Sequence, residues 1–450
     1  MSDKTLNPEV ILLGAGMAGL AAARALAERN VRVLVLEAQE RVGGRILSQR
    51  VEGGGVVELG AEFVHGRPPE LWALIEEAGV QTVERDGTML REGWGGGLEE
   101  DDPGAGEEST FAPLEQLEDF DGEDITFWDW LKASDVPELD RPSLLGYVEG
   151  FNAADARRIS VKSLGAQQKA EHATEGGSSW HVLGGYSQLT GYLAKRVVEL
   201  GGEIRLGCEV LGVRWHEDEV CVETTLGDVA APRCIVALPL GVLQRVNKGP
   251  GLWMEPEPEA IAHAQRLAMG DAERFTLVFR AAWWADSPLL NKTVLAGMSF
   301  LFTPQRMPPV WWTSHPEAES LPALTGWVGG PKARAFRGKT AEELGEAACV
   351  VLADVFGVAE SSIRESLVAT CRHDWAADAH TRGAYSYVPA GAMDASEAMT
   401  QPEAGVIFFA GEHTDVTGHW GTVHAALRSG LRAAEQVLLE IAIAKEREIA

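Results

Sequence analysis

A four-residue apolar run, Val10-Ile-Leu-Leu13, leads directly into Gly14-Ala-Gly-Met-Ala-Gly19, and this junction restricts the fold more than any other stretch. A short continuous apolar run is what a strand buried on both faces presents. The glycines are spaced G-x-G-x-x-G. Gly14 permits a tight turn, Gly16 lets the backbone approach a pyrophosphate, and Gly19 lets a following helix pack close to the sheet. An alanine-rich stretch predicts that helix over about 18–28, and Asn30 is suited to stop it in a left-handed conformation. A second apolar strand over 31–36 ends on Glu37. Strand, glycines, helix, strand and acidic residue in this order predict a βαβ dinucleotide-binding unit. Its helix N-terminus faces the phosphates, and Glu37 accepts hydrogen bonds from an adenosine ribose.

With 450 residues the chain has room for two or three domains and a sizeable core. Its 67 acidic residues outweigh 39 basic ones, a formal net charge of -28. Such a surface repels nucleic acid and anionic lipid and attracts small cations, so neither a nucleic-acid partner nor a membrane surface is expected. The five cysteines, at 208, 221, 234, 349 and 371, include no C-x-x-C pair. Neither a disulfide framework nor a zinc site is expected, and a reducing, cytoplasmic location fits. No secretory or membrane-spanning segment is read from either end.

Further along, 99–108 (EEDDPGAGEE) reads as a solvated acidic loop. The pattern over 114–173 is broadly helical. WHVLGGYSQL, 180–189, contains a Gly-Gly turn and opens a helix through Leu193 and Val197. The runs EIRLGCEV, VCVETT and RCIVALP between 203 and 243 are strand-like, separated by turn residues. Arg274 to Phe279 is another strand, and strands and helices alternate from there to about 385. Near the C-terminus Val406 to Phe409 is a strand, followed by a loop. From Thr422 the residues Val423, Leu427, Leu431, Ala434, Val437 and Leu438 recur at helical spacing. The positive end of that helix points at whatever the preceding glycine-rich loop binds. His413, His419 and His424 are not spaced to share a helix face, so no metal site is expected there.

The stretches GAGMAGL, EAQERVGGR, ELGAEFVHG, VLGGYSQL, ALPLGVL, RGAYSYVPAG and FAGEHT…GTVHAALRSGLRAA span most of the chain. Together they resemble the flavin-dependent amine oxidase family: polyamine oxidases, monoamine oxidases and lysine-specific histone demethylases. The motifs are most similar to the polyamine oxidases. The resemblance implies an α/β fold with an α+β substrate part. A Rossmann-like FAD-binding domain would comprise 1–80, 200–270 and 390–450, and a sheet-plus-helices substrate domain 81–199 and 271–389. It implies that Gly14, Gly16, Gly19, Glu37, Arg45 and Val210 serve the adenosine and diphosphate end of FAD. Glu412 would bond the ribityl chain, and Thr422 and Val423 would lie beside the isoalloxazine. Ala384 stands where monoamine oxidases carry the cysteine linked to the flavin, which implies non-covalent FAD.

The resemblance also implies catalytic positions. Tyr385 matches one wall of an aromatic cage, and Thr422 stands where monoamine oxidases carry the second tyrosine, which leaves space for a secondary amine or a long polyamine. His65 is either a site imidazole that exchanges hydrogen bonds with a substrate amine or a structural histidine at a turn. Arg274 occupies the place of the lysine that holds a water near the flavin. Arginine is always charged and cannot act as a base. It could hold that water, bind a substrate carboxylate, or mark an enzyme that reacts poorly with oxygen. The expected activity is FAD-dependent oxidation of an amine C–N bond, that of a polyamine or secondary amine, to an imine and then an aldehyde, with O2 reduced to H2O2. The alternatives are an L-amino-acid oxidase or amine dehydrogenase on the same fold, or a flavin-bound scaffold with little turnover. The sequence leaves oligomeric state open.

Overall fold

A computed structural model describes residues 7–53, 55–93, 95–101, 110–314 and 320–449. The glycine-rich junction folds as its spacing requires. Strand Val10–Leu13 runs into helix Met17–Ala27, Asn30 turns the chain at φ 60°, and strand Val33–Leu36 returns beside the first. These two strands join Glu203–Arg205, Arg233–Val236 and Ile407–Phe409 in one five-stranded sheet, parallel throughout. The order is 203–205, 33–36, 10–13, 233–236, 407–409. Both faces are covered, and successive residues of the first strand serve opposite cores. Val10 and Leu12 pack with Leu20, Phe408 and Leu427, whereas Ile11 and Leu13 pack with Met254, Ile407 and Phe409. This is the arrangement that a continuous apolar strand specifies.

The C-terminal helix, Val423–Ile449, lies against the first helix, and a glycine sets how close the two come. A Cβ on Gly430 would sit 2.1 Å from the Ala18 carbonyl oxygen. The helix Ser187–Glu199 buries Leu189, Leu193 and Val197 in the same core, so this layer begins before residue 200.

A second, seven-stranded sheet runs in the order 367–372, 272–279, 323–329, 310–313, 298–302, 88–92, 98–100. Its own core is built on Phe275, Leu277, Trp311 and Leu324 and covered by helix Ala341–Phe356. A helical layer including Arg141–Asn152 and Val161–Ala173 packs alongside. The acidic stretch expected as a loop begins differently: Glu99 and Glu100 belong to strand Leu98–Glu100, paired with Arg91 and Leu90. Its remainder from 102 lies outside the described residues. Among the described residues no helix is long and apolar enough to cross a membrane.

Candidate active site

One continuous cavity of about 870 Å³ runs from the first helix to the face of the seven-stranded sheet. At its inner end, helix Met17–Ala27 starts at Gly16 with no side-chain cap, so the first-turn N–H groups are left for a ligand. A Cβ on Gly16 would meet nothing within 4 Å, whereas one on Gly19 would lie 2.0 Å from the Gly14 carbonyl oxygen. The first glycine therefore leaves room for a phosphate and the second lets the helix sit on the turn. The Glu37 carboxylate is held by the backbone N–H groups of Ala15 (2.8 Å) and Gln39 (2.9 Å), which fixes it at the strand end with acceptor capacity to spare. Val210 lines the same end. Donor-rich helix end, open glycine and fixed acid suit the diphosphate and ribose of FAD.

Midway, Arg45 Nη1 donates to the Ala384 carbonyl (3.1 Å) and to buried Glu412 (2.7 Å). Glu412 also accepts from the Ser386 hydroxyl (2.5 Å) and the Gly421 N–H (3.0 Å). Burial alone pushes this carboxyl up. Arg45, His413 and Ser386 more than reverse that, so its net shift is downward and it stays ionised. Glu412 thus ties the 384–386 turn to the 419–422 loop on either side of the cavity. Gly421, at φ 80°, lies so close to Tyr385 that a Cβ would fall 2.8 Å from the ring.

The outer part is an aromatic chamber. Tyr385 is stacked on Trp327 at 6.5 Å and 8°, and its hydroxyl donates to the Phe151 carbonyl (2.6 Å). The Thr422 hydroxyl accepts from Ala425 N–H (3.1 Å) and donates to the His419 carbonyl (2.8 Å), so it caps the C-terminal helix. His65 ends strand Phe63–His65, edge-on to Phe63 and Phe151, and lines the cavity. Burial first, and then the charge of Arg85, lower its pKa to about 4, so it is a neutral imidazole at pH 7.

Arg274 sits in strand Ala272–Phe279, and only 5 % of its surface is accessible. Its guanidinium donates to the Gly60 carbonyl (2.6 Å) and to Glu62 Oε2 (2.5 Å). Glu62 accepts as well from the Trp312 indole (2.9 Å). Burial raises the Glu62 carboxyl, and Arg274, His181 and Trp312 outweigh it, for a net lowering. A second fixed acid lies outside the cavity wall. Glu58 accepts from Tyr186 N–H (2.7 Å) and the Ser48 hydroxyl (2.8 Å), yet burial lifts its pKa to about 7.

Of the sequence-selected residues, Gly14, Gly16, Glu37, Arg45, His65, Val210, Arg274, Tyr385, Glu412, Thr422 and Val423 all line this one cavity. Gly19 lies beneath it, in contact with the turn. Helical spacing was a poor guide to the histidines. The helix begins only at Val423, and His419, on the loop before it, folds back to bring its ring 4.6 Å from that of His424. Among the described residues no group of side chains is arranged to hold a metal ion. The sequence alone did not signal the roles of Glu62, Trp312, Trp327 and Phe151. Each becomes significant through a partner distant in sequence, and only the two acidic residues of ELGAEF hinted at the first.

A dinucleotide cradle that opens onto an enclosed aromatic chamber defines a flavin-dependent oxidoreductase. The description "Flavin containing amine oxidoreductase" matches residues 17–438, and the chain belongs to that family. FAD is its cofactor, and the reaction is the oxidation of an amine. The chain is 25% identical over 476 residues to an "Amine oxidase [flavin-containing]" of Oncorhynchus mykiss, covering 96% of this chain and 86% of the relative. It is also 25% identical to "Amine oxidase [flavin-containing] B" of Sus scrofa, over 98% of this chain and 88% of the other. Putrescine oxidase bound to putrescine has the same fold, with a TM-score of 0.78 at 24% identity over 96% of this chain and 99% of that one. So has cyclohexylamine oxidase from Brevibacterium oxydans IH-35A, with a TM-score of 0.81 at 21% identity over 97% of this chain and 100% of that one.

Proposed function

We propose that this chain oxidises a C–N bond of an aliphatic amine, a polyamine or secondary amine, and passes the electrons to O2. The observation that carries this reading is the chamber lined by Tyr385, Trp327 and His65, to whose wall Thr422 adds no further ring and whose space continues past Phe151. A flat two-walled cage suits a small aryl amine, whereas an open wall admits chain on both sides of the reacting nitrogen. Similarity to a putrescine oxidase supports a linear aliphatic substrate.

The chain's own residues bind and orient. Burial and aromatic walls disfavour an ammonium, so the amine reacts in its neutral form. Neutral His65 accepts an N–H from that amine and holds its lone pair toward the reacting carbon. The parallel rings of Trp327 and Tyr385 give the chain a flat wall to lie against. Bound FAD supplies the two-electron acceptor. Loss of a hydride from carbon and a proton from nitrogen leaves an imine. Water adds to it, the C–N bond breaks, and an aldehyde and a smaller amine leave. The two electrons and two protons convert O2 to H2O2. FAD is held without a covalent link, because Ala384 offers no thiol. An L-amino-acid oxidase needs a free guanidinium for the substrate carboxylate, and that of Arg274 is already committed to Glu62 and Gly60.

Incubating the aerobic holoenzyme with spermidine, spermine or their acetylated forms tests this. Aldehyde and peroxide should appear in equal amounts. Aldehyde without peroxide would replace O2 by another acceptor, and neither product from any polyamine would sink the reading.

A further inference from the structure

Behind Glu62 lies a second, much smaller cavity of about 40 Å³. Glu58, Glu62, His181 and the turn 182–185 line it, so two carboxylates and an imidazole face one space. A polar space of this size holds roughly two or three waters. Among the described residues Glu62 alone lines both this cavity and the large one.

The two oxygens of Glu62 are divided between the two sides. Oε2 accepts from Arg274 (2.5 Å) and the Trp312 indole (2.9 Å), whereas Oε1 lies 3.5 Å from His181 Nδ1. His181 belongs to strand Ser179–Val182, the middle strand of a three-stranded sheet. Phe63 is its partner on one side and Val83 on the other, and its ring stands edge-on to that of Phe63 at 5.0 Å. The imidazole is thus fixed beside Glu62 by backbone on both flanks. An imidazole can take a proton at one nitrogen and release one from the other.

Proton affinity rises away from the chamber. Glu62 is held ionised by Arg274, His181 and Trp312 against the effect of burial. At Glu58 burial prevails over the Tyr186 N–H and the Ser48 hydroxyl, the charge of Glu62 adds to it and that of Arg274 opposes it, and the pKa is about 7. A proton reaching Glu62 is passed on rather than kept, and Glu58 can both bind and release one near neutral pH. Glu58 is half-buried and Gly184, on the rim, is exposed, so the far end meets solvent.

Amine oxidation calls for such a path. As hydride passes from carbon to bound FAD, the nitrogen gives up a proton, and formation of H2O2 from O2 takes one proton back together with the hydride. An amine chain lying along the chamber past Phe151 fills the space toward the mouth while this happens. We propose that Glu62, His181 and Glu58, joined by water in the small cavity, form a proton route between the reacting amine and solvent. The inference rests on the amine-oxidation reading above and gives its proton a way out. Glu62 takes the proton from the chamber, His181 receives it at Nδ1 and releases one from its other nitrogen, and Glu58 exchanges with solvent. The route runs in reverse when O2 is reduced. His181 and Glu58 act through Glu62 and touch neither amine nor flavin.

The test times the proton against the electrons. Holoenzyme in weak buffer with phenol red is mixed anaerobically with spermidine, spermine or their acetylated forms, and the flavin band and the dye are followed together. In the wild type, proton release should keep pace with bleaching. In H181Q, whose amide keeps a polar contact with Glu62 but cannot carry a proton, release should fall behind bleaching by at least about tenfold. E58Q should lag as well, and H181Q/E58Q should lag no further than the slower single variant, because the two act in series. A dye signal that keeps pace with bleaching in H181Q overturns the proposal, and if H181Q fails to fold, the same result in E58Q does so. Failure of the underlying reading is seen separately. If no amine bleaches the flavin, flash reduction of the holoenzyme by photoexcited 5-deazaflavin replaces the amine and the dye reads proton uptake. A lag in H181Q then supports the route without amine oxidation, and the absence of a lag overturns it.

Discussion

Arg274 Nη2 and Glu62 Oε2 lie 2.5 Å apart, inside the protein, between strand Ala272–Phe279 and the loop before Phe63. An arginine that looked in sequence like a loose substitute for a lysine is one half of a buried ion pair. Such a pair is worth less than its Coulomb energy, because both charges were taken out of water, but breaking one side strands the other. E62Q is therefore expected to destabilise the protein by about 3–5 kcal/mol. The double variant E62Q/R274M should recover much of that loss. Urea unfolding midpoints of the two variants decide it, and an E62Q midpoint equal to wild type would show that the pair carries no such cost.

Gly16 and Gly19 separate binding from folding. G19A places a methyl 2.0 Å from the Gly14 oxygen and should cost about 1–3 kcal/mol or more through overpacking. G16A meets no protein atom and should fold normally, yet its methyl occupies the space left for the phosphates. Purified G16A should be well folded by circular dichroism and poor in flavin. A G16A protein with full flavin content would remove Gly16 from the cradle.

The βαβ unit was legible because its whole logic is local: four kinds of signal fall within residues 10–37, and each acts on its neighbours. The chamber was legible only in part. His65, Tyr385, Thr422 and Arg274 could be selected through family motifs, but what each does depends on partners far away in sequence. Glu62 is 212 residues from Arg274, and Arg45 is 367 from Glu412. No local pattern reports such pairings. Thr422 illustrates the reverse: its capping of the next helix, through Ala425 three residues on, was a local signal that attention to the flavin concealed.

Acid should weaken the fold. Burial lowers the pKa of His413 and His65 to about 4, and burial together with His419 lowers that of His424 to about 2. Against the ordinary 6.5, the folded state binds fewer protons than the unfolded state between pH 6.5 and 4. Stability therefore falls as pH drops through that window. His413 is fully buried and neither ring nitrogen has a hydrogen-bond partner among the described residues. Between pH 6.5 and 5 its share should be about 2 kcal/mol. Denaturant midpoints at the two pH values should converge in H413L relative to wild type. An unchanged difference would remove His413 from the account.

A rise from acidic to neutral pH should act through Glu58. Its folded pKa of about 7 lies above the ordinary 4.5, so the folded state binds the extra proton, and stability falls as pH rises from 4.5 to 7. E58Q keeps the Tyr186 N–H contact without the charge. It should be less sensitive to that rise, as read from thermal midpoints at pH 5 and 8. A wild-type slope in E58Q would contradict the assignment.

With alanine at 384, acid precipitation should leave all of the flavin in the supernatant as intact FAD. Flavin retained in the washed pellet would require a covalent link elsewhere in the chain.

Anaerobic titration of the purified yellow holoenzyme with spermidine, spermine and their acetylated forms, followed at the flavin absorption band, tests the central claim most directly. The account predicts rapid bleaching by at least one of them, with one equivalent of aldehyde formed per flavin. A flavin that none of these amines bleaches, but that dithionite still reduces, would contradict it.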